Sequence, residues 1–233
     1  MTTDRPLRLL AVSDIVEPQL YSTLLPEWLG PIDAVLGCGD LPDYYLEFLL
    51  TVLNARCFYV RGNHCESPHD ARGRDLRDVP GAENLHGRVV TWRGLILAGL
   101  EGSPWYNGGP HQYRESEMAA RVRRLVPRLL MNRWQVGRYL DILITHAPPY
   151  QIHDATDLTH RGFHCFRRLI TRYHPLYVLH GHQHRYIMME RARTVAGRTT
   201  IINVYGHVLL EVTVPPAGTP PGAGPPPSPA AAS

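Results

Sequence analysis

Six short apolar runs, none long enough for a buried helix, constrain this chain more than any other feature. Residues 7–12, 34–36, 57–60, 95–98, 142–145 and 177–179 are built from aliphatic and aromatic side chains with at most one charge apiece. Runs of this length, apolar on both faces, are strands covered on both sides. Between the first three lie segments that fit helices, residues 18–29 and 43–53, so the order is strand, helix, strand, helix, as in a parallel α/β sheet. A longer helical zone over 115–139 is predicted to break at Pro127, and another covers 163–173; their arginines (Arg121, Arg123, Arg124, Arg128, Arg167, Arg168 and Arg172) fall on solvated faces. After His184 the texture changes to strand-like runs at 186–191, 199–205 and 208–214, with Ala196-Gly197 as a turn, which reads as an antiparallel edge. Residues 215–233 are almost all Pro, Gly, Ala, Ser and Thr, a composition that buries too little apolar surface to offset ordering entropy. One domain over 1–214 and a disordered tail over 215–233 are therefore expected.

Bulk properties remove several classes of function. A chain of 233 residues supports one domain with a real core. Its 24 basic residues are all arginine, yet the formal charge is only +3, too mild a balance to call for a nucleic-acid partner. No stretch of 18 uncharged apolar residues occurs, and the segment after Met1 lacks the apolar core of a signal peptide, so a cytoplasmic protein without a membrane partner is expected. Cys38, Cys57, Cys65 and Cys165 show no C-x-x-C spacing and read as reduced thiols. Oligomeric state leaves no mark in the sequence.

The residues that follow the strands are more specific. The first run ends in Ser13-Asp14, the second in Gly37-Cys38-Gly39-Asp40 and the third in Arg61-Gly62-Asn63-His64. Later ones end in Thr145-His146-Ala147-Pro148-Pro149 and His180-Gly181-His182-Gln183-His184. In α/β sheets such junctions lie along one rim, where ligands bind, so side chains spread over most of the chain can converge. Taken singly, Asp14 and Asp40 read rather as helix caps, Asn63 as a turn former and His182 and His184 as satisfied loop histidines. Together, carboxylate, amide oxygen and imidazole make a mixed oxygen and nitrogen shell suited to Mn, Fe, Zn or a similar divalent ion. A carboxylate able to bridge, here Asp40, can hold two such ions ~3.5–4 Å apart, an arrangement suited to displacement at phosphorus. Gly39, Gly62 and Gly181 precede three of the candidate ligands and allow close backbone approach.

In this order the motifs resemble those of the calcineurin-like metallophosphoesterase family: D-x-H, G-D, G-N-H-D/E, a later H, and G-H-x-H. The likeness runs over roughly residues 7–210. It implies a four-layer αββα β-sandwich flanked by helices, with metals at one sheet edge. It also implies one ion held by Asp14, Asp40 and His184, a second held by Asp40, Asn63, His146 and His182, and His64 as the catalytic histidine beside a metal-bound hydroxide nucleophile. Two departures stand out. Val16 occupies the place of the first motif's histidine and cannot coordinate, so the first ion is expected to bind more weakly; Glu17, next in line, reads either as a water-mediated substitute or as a helix-start acid. Cys65, with Glu66 after it, stands where the family places an acid beside the catalytic histidine.

Substrate contacts are expected from residues 99–113, where Trp105 and Tyr106 stand among glycines, and from His153, His160 and Arg161, with Arg61 and Arg185 flanking metal motifs. The expected function is a metal-dependent phosphoester hydrolase acting on a small phosphoester or nucleotide, a diester before a monoester. The rival reading is a protein of this fold that has lost catalysis and serves as an interaction scaffold.

Overall fold

The computed structural model describes residues 5–64, 78–183 and 193–218. The six expected strands all form, and alternation along them divides the molecule into layers. In β1 (Leu7–Ser13), Leu7, Leu9 and Ala11 face one core while Leu10 and Val12 face another. The same period of two runs through β2 (Ala34–Cys38) and β3 (Arg56–Val60), which pair in parallel with β1 in the order β1-β2-β3. The short β4 (Ala82–Asn84) extends this sheet beyond β3, and β13 (Gly206–Val212) closes its other edge antiparallel to β1.

The second sheet is centred on β6 (Leu95–Leu100), β9 (Ile142–Thr145) and β10 (Tyr177–His180), with β12 (Thr199–Asn203) parallel to β10. Its two rims are antiparallel: β5 (Val89–Trp92) beside β6, and β11 (Arg193–Ala196) beside β12. A minor parallel pair, β7 (Ser103–Pro104) and β8 (Gln112–Tyr113), stands apart.

Leu36, Phe58 and Leu210 from the first sheet meet Leu97, Ile144 and Leu179 from the second in the central core. The outer face of the first sheet is covered by α1 (Leu25–Leu29) and α2 (Asp43–Val52) through Leu25, Tyr45 and Leu49. The outer face of the second is covered by α3 (Glu115–Val136) and α4 (His164–Tyr173) through Met118, Leu125, Phe166 and Leu169. Four layers, helix, sheet, sheet and helix, result, as the family resemblance implies; strand–helix alternation alone had pointed to a single parallel sheet.

Some details differ from expectation. Of residues 18–29 only Leu25–Leu29 is helical; before it the Ser22 hydroxyl accepts the Leu24 N–H at 3.2 Å, a local bond that competes with the helix. α3 is not broken at Pro127, because Leu125 and Leu129 on its inner face are packed in the core. Within the expected tail, residues 215–218 lie against the body: the Gly218 N–H reaches the Val136 carbonyl at 2.9 Å and Arg138 the Pro216 carbonyl at 3.4 Å. His184, Arg185, the expected strand at 186–191, Cys65, Glu66 and residues 219–233 lie outside the described residues.

Candidate metal centre

The C-terminal ends of β1, β2, β3, β9 and β10 come together at one rim, each on a tight turn. Asp14 and Asp40 both adopt left-handed backbone, with φ of 69° and 53°, and the Asp14 N–H bonds the Gly39 carbonyl at 3.1 Å, locking the first two turns together. His182, at φ 67°, donates its backbone N–H to Asp14 Oδ1 at 2.9 Å, which links the two sheets. Two glycines are required by this crowding: a Cβ on Gly62 would fall 2.0 Å from Asp40 Oδ1, and one on Gly181 would fall 1.9 Å from Ser13 Oγ and 2.4 Å from Asp14 Oδ2.

His146 is the hub. Its Nδ1 lies 2.9 Å from the Cys38 carbonyl, which can only accept, so Nδ1 carries a proton and Nε2 faces inward, free to present a lone pair once any second proton leaves it. Around Nε2 stand Asp40 Oδ2 at 3.1 Å, Asn63 Oδ1 at 3.2 Å and His182 Nδ1 at 3.2 Å. His182 is set the same way, its Nε2–H donating to the Thr159 carbonyl at 2.7 Å. Asn63 is oriented from behind by its Nδ2, which donates to Tyr106 Oη at 3.2 Å. Asp40 Oδ1 accepts the His64 backbone N–H at 2.8 Å.

With Nε2 unprotonated, four acceptor atoms face one point, an arrangement that repels itself unless a positive charge sits among them. Ligand atoms of Asp40, His146 and His182 all lie within 4.8 Å of one another. Burial pulls the His146 imidazole toward neutrality, but the Asp40 carboxylate outweighs it and raises the ring to about 9. Burial pushes Asp40 up, and the charge of His146 with its hydrogen bond more than reverses this, holding the carboxyl below its ordinary range. His182 is lowered to about 4, first by burial and then by its neighbour His146. The place suits one cation, a proton on His146 or a metal ion that displaces it. The donor set, one carboxylate, one amide and two imidazoles whose far nitrogens donate to backbone carbonyls, fits a divalent transition metal.

The other expected site residues are placed as follows. Asp14 touches the cluster through the His182 backbone. His64 stands exposed at the rim. The His160 ring is 5.4 Å from that of His182 and is held by Asp157 at 2.9 Å. Tyr106 reaches Asn63, while Trp105, half exposed, carries the Arg114 guanidinium 5.7 Å above its ring. Arg161 is exposed. Two residues are engaged elsewhere: Arg61 pairs with Asp43 of α2 at 2.9 Å and lies over Tyr59, and His153 bridges His180 at 2.9 Å and Thr194 at 2.8 Å. Val16 is partly buried in the apolar cluster beneath α1 and α2, and Glu17 pairs with His207 of β13. Sequence reasoning missed the carbonyls of Cys38 and Thr159, because main-chain groups carry no residue signature, and the second task of Tyr106, which its place among the loop aromatics only hinted at.

Fold and site together define an αββα protein with a candidate metal centre at the joint rim of its sheets. The chain belongs to the calcineurin-like phosphoesterase family, whose model matches residues 7–186. Among solved structures it is similar to TT1561 of Thermus thermophilus, at 20% identity and a TM-score of 0.61 over 88% of this chain and 94% of that one. It is also similar to GAP50, the anchor in the inner membrane complex of Plasmodium, at 12% identity and a TM-score of 0.50 over 87% and 72% of the two chains. No curated protein matches by sequence.

Proposed function

We propose that the chain is a metal-dependent phosphoester hydrolase that favours diesters, and the convergence of Asp40 Oδ2, Asn63 Oδ1 and His182 Nδ1 on His146 Nε2 carries that reading. Asp40, Asn63, His146 and His182 would hold one ion; Asp14 and Asp40, with His184, would hold a second more loosely, because Val16 stands in place of a ligand. A bound divalent ion, Mn, Fe or Zn, supplies Lewis-acid polarisation of a phosphoryl oxygen and lowers the pKa of water. The rest falls to the chain's own groups. Cys38 and Thr159 fix both imidazoles in the ligating tautomer, and Tyr106 fixes the amide of Asn63. His64, tethered at its backbone by Asp40 and exposed at the rim, is the group to protonate the leaving oxygen. Tyr106 offers aromatic surface next to Asn63 for the second ester group of a diester or a nucleotide base, with Trp105 before it in the same loop, and His160 beside His182 and exposed Arg161 after it are the further groups for the phosphate. Burial of Cys38, Cys57 and Cys165 as free thiols supports a reducing, cytoplasmic setting.

The scaffold reading rests on Val16 alone. Metal analysis after reconstitution with Mn, paired with turnover of bis-p-nitrophenyl phosphate and p-nitrophenyl phosphate, separates the two: bound metal with faster diester cleavage is expected, and neither metal nor turnover would leave the scaffold standing. A Val16→His variant is expected to raise metal stoichiometry; unchanged stoichiometry and affinity would show that Val16 does not face the first ion.

A further inference from the structure

The helix α3 is apolar on two opposite sides. Met118, Leu125 and Leu129 face the core, yet in its last turns Leu130 and Met131 are half exposed and Trp134 is 85% exposed. Positions 127, 130, 131 and 134 share one helix face, so Pro127 joins these three in an outward stripe. A helix at a protein surface ordinarily turns polar side chains outward, and an apolar stripe there marks a contact surface. Arg123, Arg124 and Arg128 are exposed around the stripe, and Arg167, Arg168 and Arg172 are exposed on α4, which packs beside α3. No acid offsets them in sequence: none occurs between Glu117 and Asp141 or between Asp157 and Glu190. Glu115, at the start of α3, is occupied with the backbone N–H groups of His164 and Cys165 at 3.1 and 2.7 Å.

We propose that the α3–α4 face docks on an anionic lipid surface, with Leu130, Met131 and Trp134 entering the headgroup region and the arginines matching its negative charge. Trp and Leu in the middle with Arg at the flanks is the distribution that holds a helix flat in a membrane interface. Nucleic acid fits less well, since Leu130 and Met131 occupy the centre of the face and offer no plane for base stacking. A second copy of the chain fits less well too, because symmetric pairing would set arginines against arginines. This surface departs from the sequence expectation of no membrane partner, which rested on the lack of a spanning stretch and of a signal peptide and took no account of surface contact; no helix among the described residues is long and apolar enough to cross a membrane.

The test uses the full chain in vesicle flotation. Partition onto equimolar phosphatidylcholine and phosphatidylglycerol vesicles is expected, with none on phosphatidylcholine alone, and high salt should release the protein. An Arg124→Gln change should lower the partition constant about fivefold, the loss of one near-surface charge. Trp134→Ser, with unchanged circular dichroism, should lower it by at least as much. Three results would each overturn the proposal: no flotation with anionic vesicles at low salt, binding to duplex DNA that Arg124→Gln weakens but Trp134→Ser does not, or concentration-dependent dimerisation in solution that Trp134→Ser abolishes.

Discussion

Tyr106 is joined to the candidate centre by one hydrogen bond, and its removal is the mildest probe of that centre. Tyr106→Phe keeps the ring and deletes only the acceptor for Asn63 Nδ2. Loss of a group that orients a ligand commonly weakens metal binding ~10–100-fold, so Mn affinity measured by calorimetric titration should fall about tenfold; unchanged affinity would mean that Asn63 is fixed by other contacts. A second buried residue predicts pH behaviour. Glu101 is near His111 Nδ1 at 3.1 Å and accepts from Tyr113 Oη at 2.5 Å. Burial pushes its carboxyl up, but the His111 hydrogen bond and the charges of His86 and His111 bring it from 4.5 down to about 2. A carboxyl held below its unfolded value contributes stability that is complete above about pH 4.5 and is lost as pH falls toward about 2, on the order of 3 kcal/mol in all. Urea midpoints across that window should drop steeply in the native chain and more gently in Glu101→Gln, which should also be the less stable of the two at neutral pH.

At the scale of elements, α3 offers a direct test of helix continuity. Pro127 supplies no N–H to its turn, and proline inside a helix costs about 3 kcal/mol against alanine. Pro127→Ala should therefore raise stability, by about 1–3 kcal/mol in urea unfolding; a loss would mean that the proline ring itself makes a needed contact. The helix also shows what a linear reading can and cannot reach. Leu125 and Leu129 are legible as one apolar face, but whether packing on the second sheet overrides Pro127 depends on neighbours distant in the chain. The six strands were legible because their side chains are apolar on both faces. Ala82–Asn84 and Val89–Trp92 were not, since the first has no apolar pattern and the second is only four residues at a rim. The convergence of Asp40, Asn63, His146 and His182 was legible because the strand ends carry distinctive residue types. The diversion of Arg61 to Asp43 and of His153 to His180 was not, because each partner comes from another element.

For the molecule as a whole, the candidate centre is shared between layers: Asp14, Asp40 and Asn63 come from the first sheet, His146 and His182 from the second. A cation held there would tie the two sheets at their rim and bind the folded chain alone. At a hundred times the dissociation constant such binding adds about 2.7 kcal/mol, so Mn should raise the melting temperature, EDTA should reverse that gain, and a His146→Ala chain should show no shift with Mn. Equal melting temperatures with Mn and with EDTA would count against metal binding at this rim. The antiparallel union of β1 with β13, fastened by His207 with Glu17 and by Arg8 with Glu211 at 3.7 Å, has a consequence for biosynthesis. During synthesis β1 receives its outer neighbour only when Gly206–Val212 has been translated, so its edge stays unpaired while all of the intervening chain is made and offers itself to other strands until then.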